Sequence, residues 1–209
     1  LAGSNTIQTR GNLIVNSGAT LDVGTRTLNR NAAGGSLTLN SGATLKIGGA
    51  SNFPANYSTN TLNPASTVVY NGSAQTILTT VTYGNLTISS TGIDSLKSNA
   101  TIAGNLSVTA GTFDLQSFTA NRSASGGTLS VSSGAILRIG STNTIPSNYS
   151  THTLGSTSTV VYYGTSQQVS AETYGNLTVS LSGTATLAGT ATVASDLSVT
   201  TGIFDLGSN

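Results

Sequence analysis

One internal repetition limits this chain's fold more than any other feature. Ser66-Thr67-Val68-Val69-Tyr70 returns as Ser158-Thr159-Val160-Val161-Tyr162, and Tyr83-Gly84-Asn85-Leu86-Thr87 returns as Tyr174-Gly175-Asn176-Leu177-Thr178. The lag is 92 residues for the first block and 91 for the second. Two architectures give such a lag: a tandem pair of sandwich domains, or a solenoid whose superperiod spans several coils.

A finer spacing favours the solenoid. Leucines open or just precede short alternating strands at Leu13, Leu37, Leu62, Leu86, Leu106, Leu129, Leu154, Leu177 and Leu197. Their steps are 24, 25, 24 and 20, then 23, 25, 23 and 20. A coil that returns the chain to the same position one strand spacing (~4.8 Å) further along an axis produces such a ladder. The spacing predicts an all-β parallel β-helix (a β-solenoid) of about nine coils, with 20–25 residues per coil. The whole of 1–209 reads as one continuous solenoid. Its superrepeats are 1–95, 96–186 and a partial 187–209, opening at Leu1, Leu96 and Leu187. The shortest coils are expected at the two 20-residue steps.

The local chemistry agrees. Leu13-Ile14-Val15 runs into Asn16-Ser17-Gly18-Ala19 and then Thr20-Leu21-Asp22-Val23; the next coil repeats this with Asn40-Ser41-Gly42-Ala43 and Thr44-Leu45-Lys46-Ile47. Period-two alternation places Leu21 and Val23 inside and Asp22 outside. Asn and Gly tolerate the positive φ of a tight corner. Phe113, Phe204, Tyr70 and Tyr162 are expected to fill the wider coils. The segments 53–59 and 145–151 are expected to bulge as corner loops.

Composition excludes several functions. Charged residues are 6% of the chain, against roughly 25% in an ordinary domain, and the net charge is +1. No clustered basic surface is available for nucleic acid. No run of ~18 apolar residues is present to insert into a membrane as a helix. Cysteine is absent, which removes disulfides and thiolate metal sites. Leu1 is not an initiator, so a mature product or a piece of something longer is expected.

The ionisable groups are few enough to weigh one by one. Asp22, Asp114 and Asp205 share a repeat position about four coils apart, on the order of 19 Å at one strand spacing per coil. That exceeds the separation of paired carboxylates in glycoside hydrolysis. Neither Asp94 with Asp114 nor Glu172 with Asp196 recurs cleanly between copies. His152 stands where the first copy has Asn60, and reads as a surface loop residue. No catalytic, cofactor or metal site is expected, and the chain is not expected to be an enzyme. Lys46 follows Asp22 by 24 residues and Arg138 follows Asp114 by 24, so two stacked cross-strand ion pairs are expected on the outer face. Asp205 is the third copy, and its stacking partner would come one coil later. Tyr57, Tyr149 and His152 are candidates for loop recognition of surface glycans, and Asn56 and Asn148 are the sequons best placed in loops.

The block 66–70 with Gly72, Gln75 and 83–87, followed by Thr101-Ile102-Ala103-Gly104-Asn105-Leu106 and Gly111-Thr112-Phe113-Asp114-Leu115, resembles repeats of very large secreted bacterial surface proteins. These are the adhesin-like β-helical proteins of Bacteroidetes-type bacteria, akin to filamentous haemagglutinin. The resemblance implies an extracellular or cell-surface stalk or filament and carries over no catalytic residue. A carbohydrate-binding module and a polysaccharide-processing β-helix enzyme are the alternatives. Neither end reads as a cap, so end-to-end self-association is expected.

Overall fold

The computed structural model describes residues 6–50 and 52–207. Among them there is no helix, and every strand pairing is parallel. The strands stack as a β-solenoid of about nine turns, here called tiers.

A tier is built from three short strands joined by corners. In the tier of 106–122 these are Leu106–Asp114, which bends midway into two sides, and Ala120–Arg122. The bend falls at Gly111, whose φ is +70°. A Cβ there would lie 2.6 Å from the Ser90 carbonyl of the tier below, so only glycine lets the chain turn this close to its neighbour. Gly202 occupies the same place one superperiod later, with φ +80° and the Leu181 carbonyl 2.5 Å from its missing Cβ. The expected Asn-Ser-Gly corners form, with φ of +72° at Gly18 and +71° at Gly42. Ala19 and Ala43 donate their N–H groups back to Asn16 and Asn40.

The inward residues of successive tiers form one continuous hydrophobic cluster. Leu37, Leu45, Leu86, Leu106, Leu129 and Leu137 are fully buried in it, as are Tyr70, Tyr162 and Phe113. Phe204 is only partly buried. Residues 53–57 do not bulge as a free loop. Phe53 is buried, and Tyr57 already belongs to the strand Tyr57–Leu62.

The leucine ladder is real but breaks twice. Leu13 pairs with Leu37, Leu86 with Leu106, Leu106 with Leu129, and Leu177 with Leu197. Leu62, however, pairs with Leu39, and Leu154 with Val131. Leu86 stacks on Val68, and Leu177 on Val160. The shortest tier step is therefore 17 residues, from Val160 to Leu177, with steps of 18 from Val68 to Leu86 and from Gln167 to Ala185, rather than the expected 20.

The cause is a shift of the cross-section by one side per superperiod. Tyr57–Leu62 is bonded only to the strand below it, and the chain above climbs onto Thr67–Tyr70 instead. Tyr149–Leu154 and Thr159–Tyr162 repeat the manoeuvre. Segments 71–81 and 163–172 supply the replacement side. They contain the Thr76–Ser95 bridge in the first copy and the strand Gln167–Val169 in the second. The 92-residue lag is thus the period of a shift, not merely of four stacked turns.

Candidate functional site

Register places Asp22 beside Lys46 and Asp114 beside Arg138 as direct strand partners. Both aspartates also close a tight turn, accepting the N–H of Gly24 and of Gln116 at 2.9 Å. The two stacks then differ. Arg138 Nε lies 3.9 Å from Asp114 Oδ2, whereas Asp22 and Lys46 are not among the oppositely charged side chains within 4 Å in the described residues. Asp22 is exposed, but Asp114 is buried. Tyr163 makes the difference. Its hydroxyl donates to Asp114 Oδ1 at 2.6 Å, and its ring lies 4.5 Å from the Arg138 guanidinium carbon. Burial and the Asp114 carboxylate both hold the Tyr163 phenol protonated. The first copy has Asn71 at that position.

The expected recognition residues are not presented to solvent. Tyr57 and Tyr149 are strand residues, each 8% exposed. The Tyr57 hydroxyl bonds Thr9 Oγ1 at 2.7 Å, and that of Tyr149 donates to the Ala120 carbonyl at 3.0 Å. Alternation explains the correction: each opens a strand at an inward position. His152 is likewise a strand residue rather than a surface loop residue. It pairs in register with Leu129, and its Nδ1 lies 2.5 Å from Glu172 Oε1. Glu172 stands where the first copy has Val81, as His152 stands for Asn60, so the pair replaces an Asn and an apolar residue together. Asn56 and Asn148 sit in the left-handed region, with φ of +68° and +69°. Their side-chain amides donate to the Arg30 and Arg122 carbonyls of the tier below.

Three buried polar clusters were not anticipated. In the first copy, Tyr83 donates its hydroxyl proton to the Leu78 carbonyl at 2.6 Å, so the Tyr70 hydroxyl, 3.0 Å away, is the donor between the two rings. Tyr70 Oη in turn accepts the Leu78 N–H. Tyr162, Tyr174 and Ser170 repeat the arrangement. Burial pushes Tyr70 up to about 12 and Tyr83 well above its usual value. These hydroxyls pin the loop backbone at Leu78 and Ser170.

The second cluster is a buried glutamine in each copy. Gln75 Oε1 accepts the Gly72 N–H, and Nε2 donates to the Ile47 carbonyl. Gln167 bonds Gly164, Ile139 and the Asn143 carbonyl. Both residues satisfy backbone groups that the shifting side leaves open.

The third is Asp94, which is fully buried. Oδ1 accepts the Gln75 N–H at 2.8 Å and faces Ser90 Oγ at 3.3 Å, while Oδ2 is buried without a partner. Burial raises its pKa, against the opposing effects of the Gln75 and Ser90 hydrogen bonds. Asp94 pairs in register with inward Phe113, and outward Asp114 pairs with Ser95, so these two carboxylates face opposite sides of the wall. They do not form a catalytic pair.

One depression of about 370 Å³ is lined by Asn52, Phe53, Ile77, Leu78, Thr79 and Lys97. Among the described residues, Lys97 is the only charged one in its lining. Among the described residues no group of three or more His, Asp or Glu is placed to hold a metal ion, and no helix is long and apolar enough to cross a membrane. The fold and these networks define a parallel β-solenoid with a polar-braced core. Comparison with family models, with curated proteins and with solved structures gives no match.

Proposed function

We propose that this chain is a structural segment of an extracellular or cell-surface filament, of the adhesin-like kind that its repeats resemble. The observation that carries the reading is where the distinctive side chains are spent. The paired tyrosines, the glutamines, Asp114, Tyr57 and Tyr149 all bond to neighbouring tiers or brace a shifting side. A repeated wall with its functional groups turned to inter-tier bonding suits a load-bearing rod. Parallel stacking buries apolar area at every tier and leaves a surface of small polar residues. The work of such a segment is to hold its neighbours at a fixed distance and in a fixed orientation.

Antibody labelling of intact cells that make the protein, followed by electron microscopy, tests this. Label along extended surface rods is expected; label confined to the cell interior contradicts the proposal. A glycan array with the purified chain tests the competing role. Specific, saturable binding to one glycan class would assign recognition rather than support.

A further inference from the structure

The last described tier presents an open strand edge. Among the described residues, Leu197–Asp205 pairs with Asn176–Leu187 along one edge only. Leu197, Val199 and Leu206 are 52%, 48% and 56% exposed. Their counterparts one superperiod earlier are Leu106, Val108 and Leu115, exposed by 0%, 1% and 0%. The residue types are the same and the strand is the same. What differs is that Gly126–Val131 and Ile136–Ile139 cover the earlier tier.

That earlier interface shows which chemistry fits. Asn105 Oδ1 accepts the Thr128 N–H at 2.8 Å, just past Gly127, whose φ is +57°. In the first copy Asn12 Oδ1 accepts the Ser36 N–H at 2.9 Å, just past Gly35, again at φ +57°. A Cβ on either glycine would lie within 3.0 Å of the Asn oxygen, so in these two tiers the glycine gives the acceptor room. The exposed tier offers Asp196 at that acceptor position. At the second position Asp205 keeps the same tight turn, accepting the Gly207 N–H at 2.8 Å. Asp22 and Asp114 keep it too, and each is stacked against a cation, Lys46 or Arg138.

We propose that the face formed by 196–206 is a docking surface for one further solenoid tier, of the type found at 35–47 and 127–139. Such a tier brings a left-handed glycine and the following N–H to Asp196, a Leu-x-Leu or Leu-x-Val strand to Leu197 and Val199, and a Lys or Arg to Asp205. The first tier of a second copy carries Asp22 where that cation belongs, so stacking it here sets two carboxylates side by side. The inference rests on reading the chain as a filament segment and specifies the kind of tier that this open edge accepts.

The test is the full chain through Leu206, extended by a copy of residues 116–139. Amide hydrogen exchange is then followed over 197–206. The in-phase tier is expected to slow exchange of the edge-facing amides at least about tenfold, since these gain a strand partner. With the copy of Arg138 changed to Asp, the slowing is expected to shrink about fivefold or more at low salt. Adding Asp205→Arg to that variant is expected to restore it. Absence of slowing with the in-phase tier overturns the proposal, and so does equal slowing with the Asp-bearing tier. Concentration-dependent slowing of 197–206 in the unextended chain also overturns it, because a second copy is then the occupant. These measurements read tier pairing, whereas cell labelling reads location, so either can fail without the other.

Discussion

Tyr163 and Asp114 lie 49 residues apart in sequence, yet the Tyr163 hydroxyl donates to Asp114 Oδ1 at 2.6 Å. The contact spans two tiers and passes over Arg138, which stacks against the tyrosine ring. It turns an outward-facing carboxylate into a buried one.

Tyr163→Asn converts this corner to the first copy's arrangement. It removes a hydrogen bond to a charged group and a cation–aromatic contact, and is expected to destabilise the chain by about 1–3 kcal/mol in urea unfolding. Asn71→Tyr should build the same cover over Asp22 and Lys46 and raise stability by a fraction of that.

Asp94 and Ser90 are replaced in the second copy by Ala185 and Leu181. There the shifting side forms the regular strand Gln167–Val169, whereas in the first copy Asp94 captures the Gln75 N–H and a single bridge remains. Changing Ser90→Leu with Asp94→Ala is expected to stabilise the chain by about 1–3 kcal/mol at neutral pH, by removing a buried, half-satisfied carboxyl. The pH dependence has a definite sign. Asp94 titrates higher when folded than when unfolded, so the folded state binds more protons in the interval between the two values. Its contribution to stability is most favourable below the unfolded value, about 4. That contribution falls as pH rises through the raised folded value. Unfolding titrations of both proteins should differ by this falling component, and parallel curves would rule it out.

Gly72 and Gly164 sit where the shifting side crosses the tier below. A Cβ at Gly72 would fall 1.8 Å from the Gly49 carbonyl oxygen, and one at Gly164 would fall 1.6 Å from that of Ser141. Backbone cannot yield as a side-chain tip can. Gly72→Ala and Gly164→Ala are each expected to cost about 1–3 kcal/mol or more, read as a lower thermal midpoint. A neutral effect at both positions would mean that the tiers do not approach this closely.

His152 and Glu172 form a partly buried pair, with side chains 17% and 20% exposed. Glu172→Val and His152→Asn, alone and together, make a double-mutant cycle toward the first copy's residues. Each single change strands one partner, while the double change recreates a combination the fold already holds. A coupling of about 0.5–3 kcal/mol is expected, and strict additivity would deny the interaction.

Much of the fold was legible because a solenoid writes its geometry into spacing. The 24-residue intervals from Asp22 to Lys46 and from Asp114 to Arg138 are true strand partners. The sideways shift was not legible. Leu62 and Leu154 keep the period while stacking on a different neighbour, because an inward position two residues along the same strand satisfies the same alternation. Tyr57 and Tyr149 were misplaced for a related reason: a tyrosine at the mouth of a strand reads as loop until the register shows which way it faces. Asp94 was hidden because its charge suggests an outward position, and only its pairing with Phe113 reveals the inward one. The duplication did carry a signal for it, since Ala185 stands in the other copy.

The most direct test of the tier register uses the absence of cysteine from the chain. Ser107 and Ser130 are strand partners with hydroxyl oxygens 3.0 Å apart, close enough for a disulfide when both are cysteine. Ser107→Cys with Ser130→Cys should oxidise fully in the folded protein without loss of thermal stability. Ser107→Cys with Thr128→Cys, displaced by two residues along the same face, should remain as free thiols. Closure of the displaced pair, or failure of the registered one, would contradict the stacked-tier account.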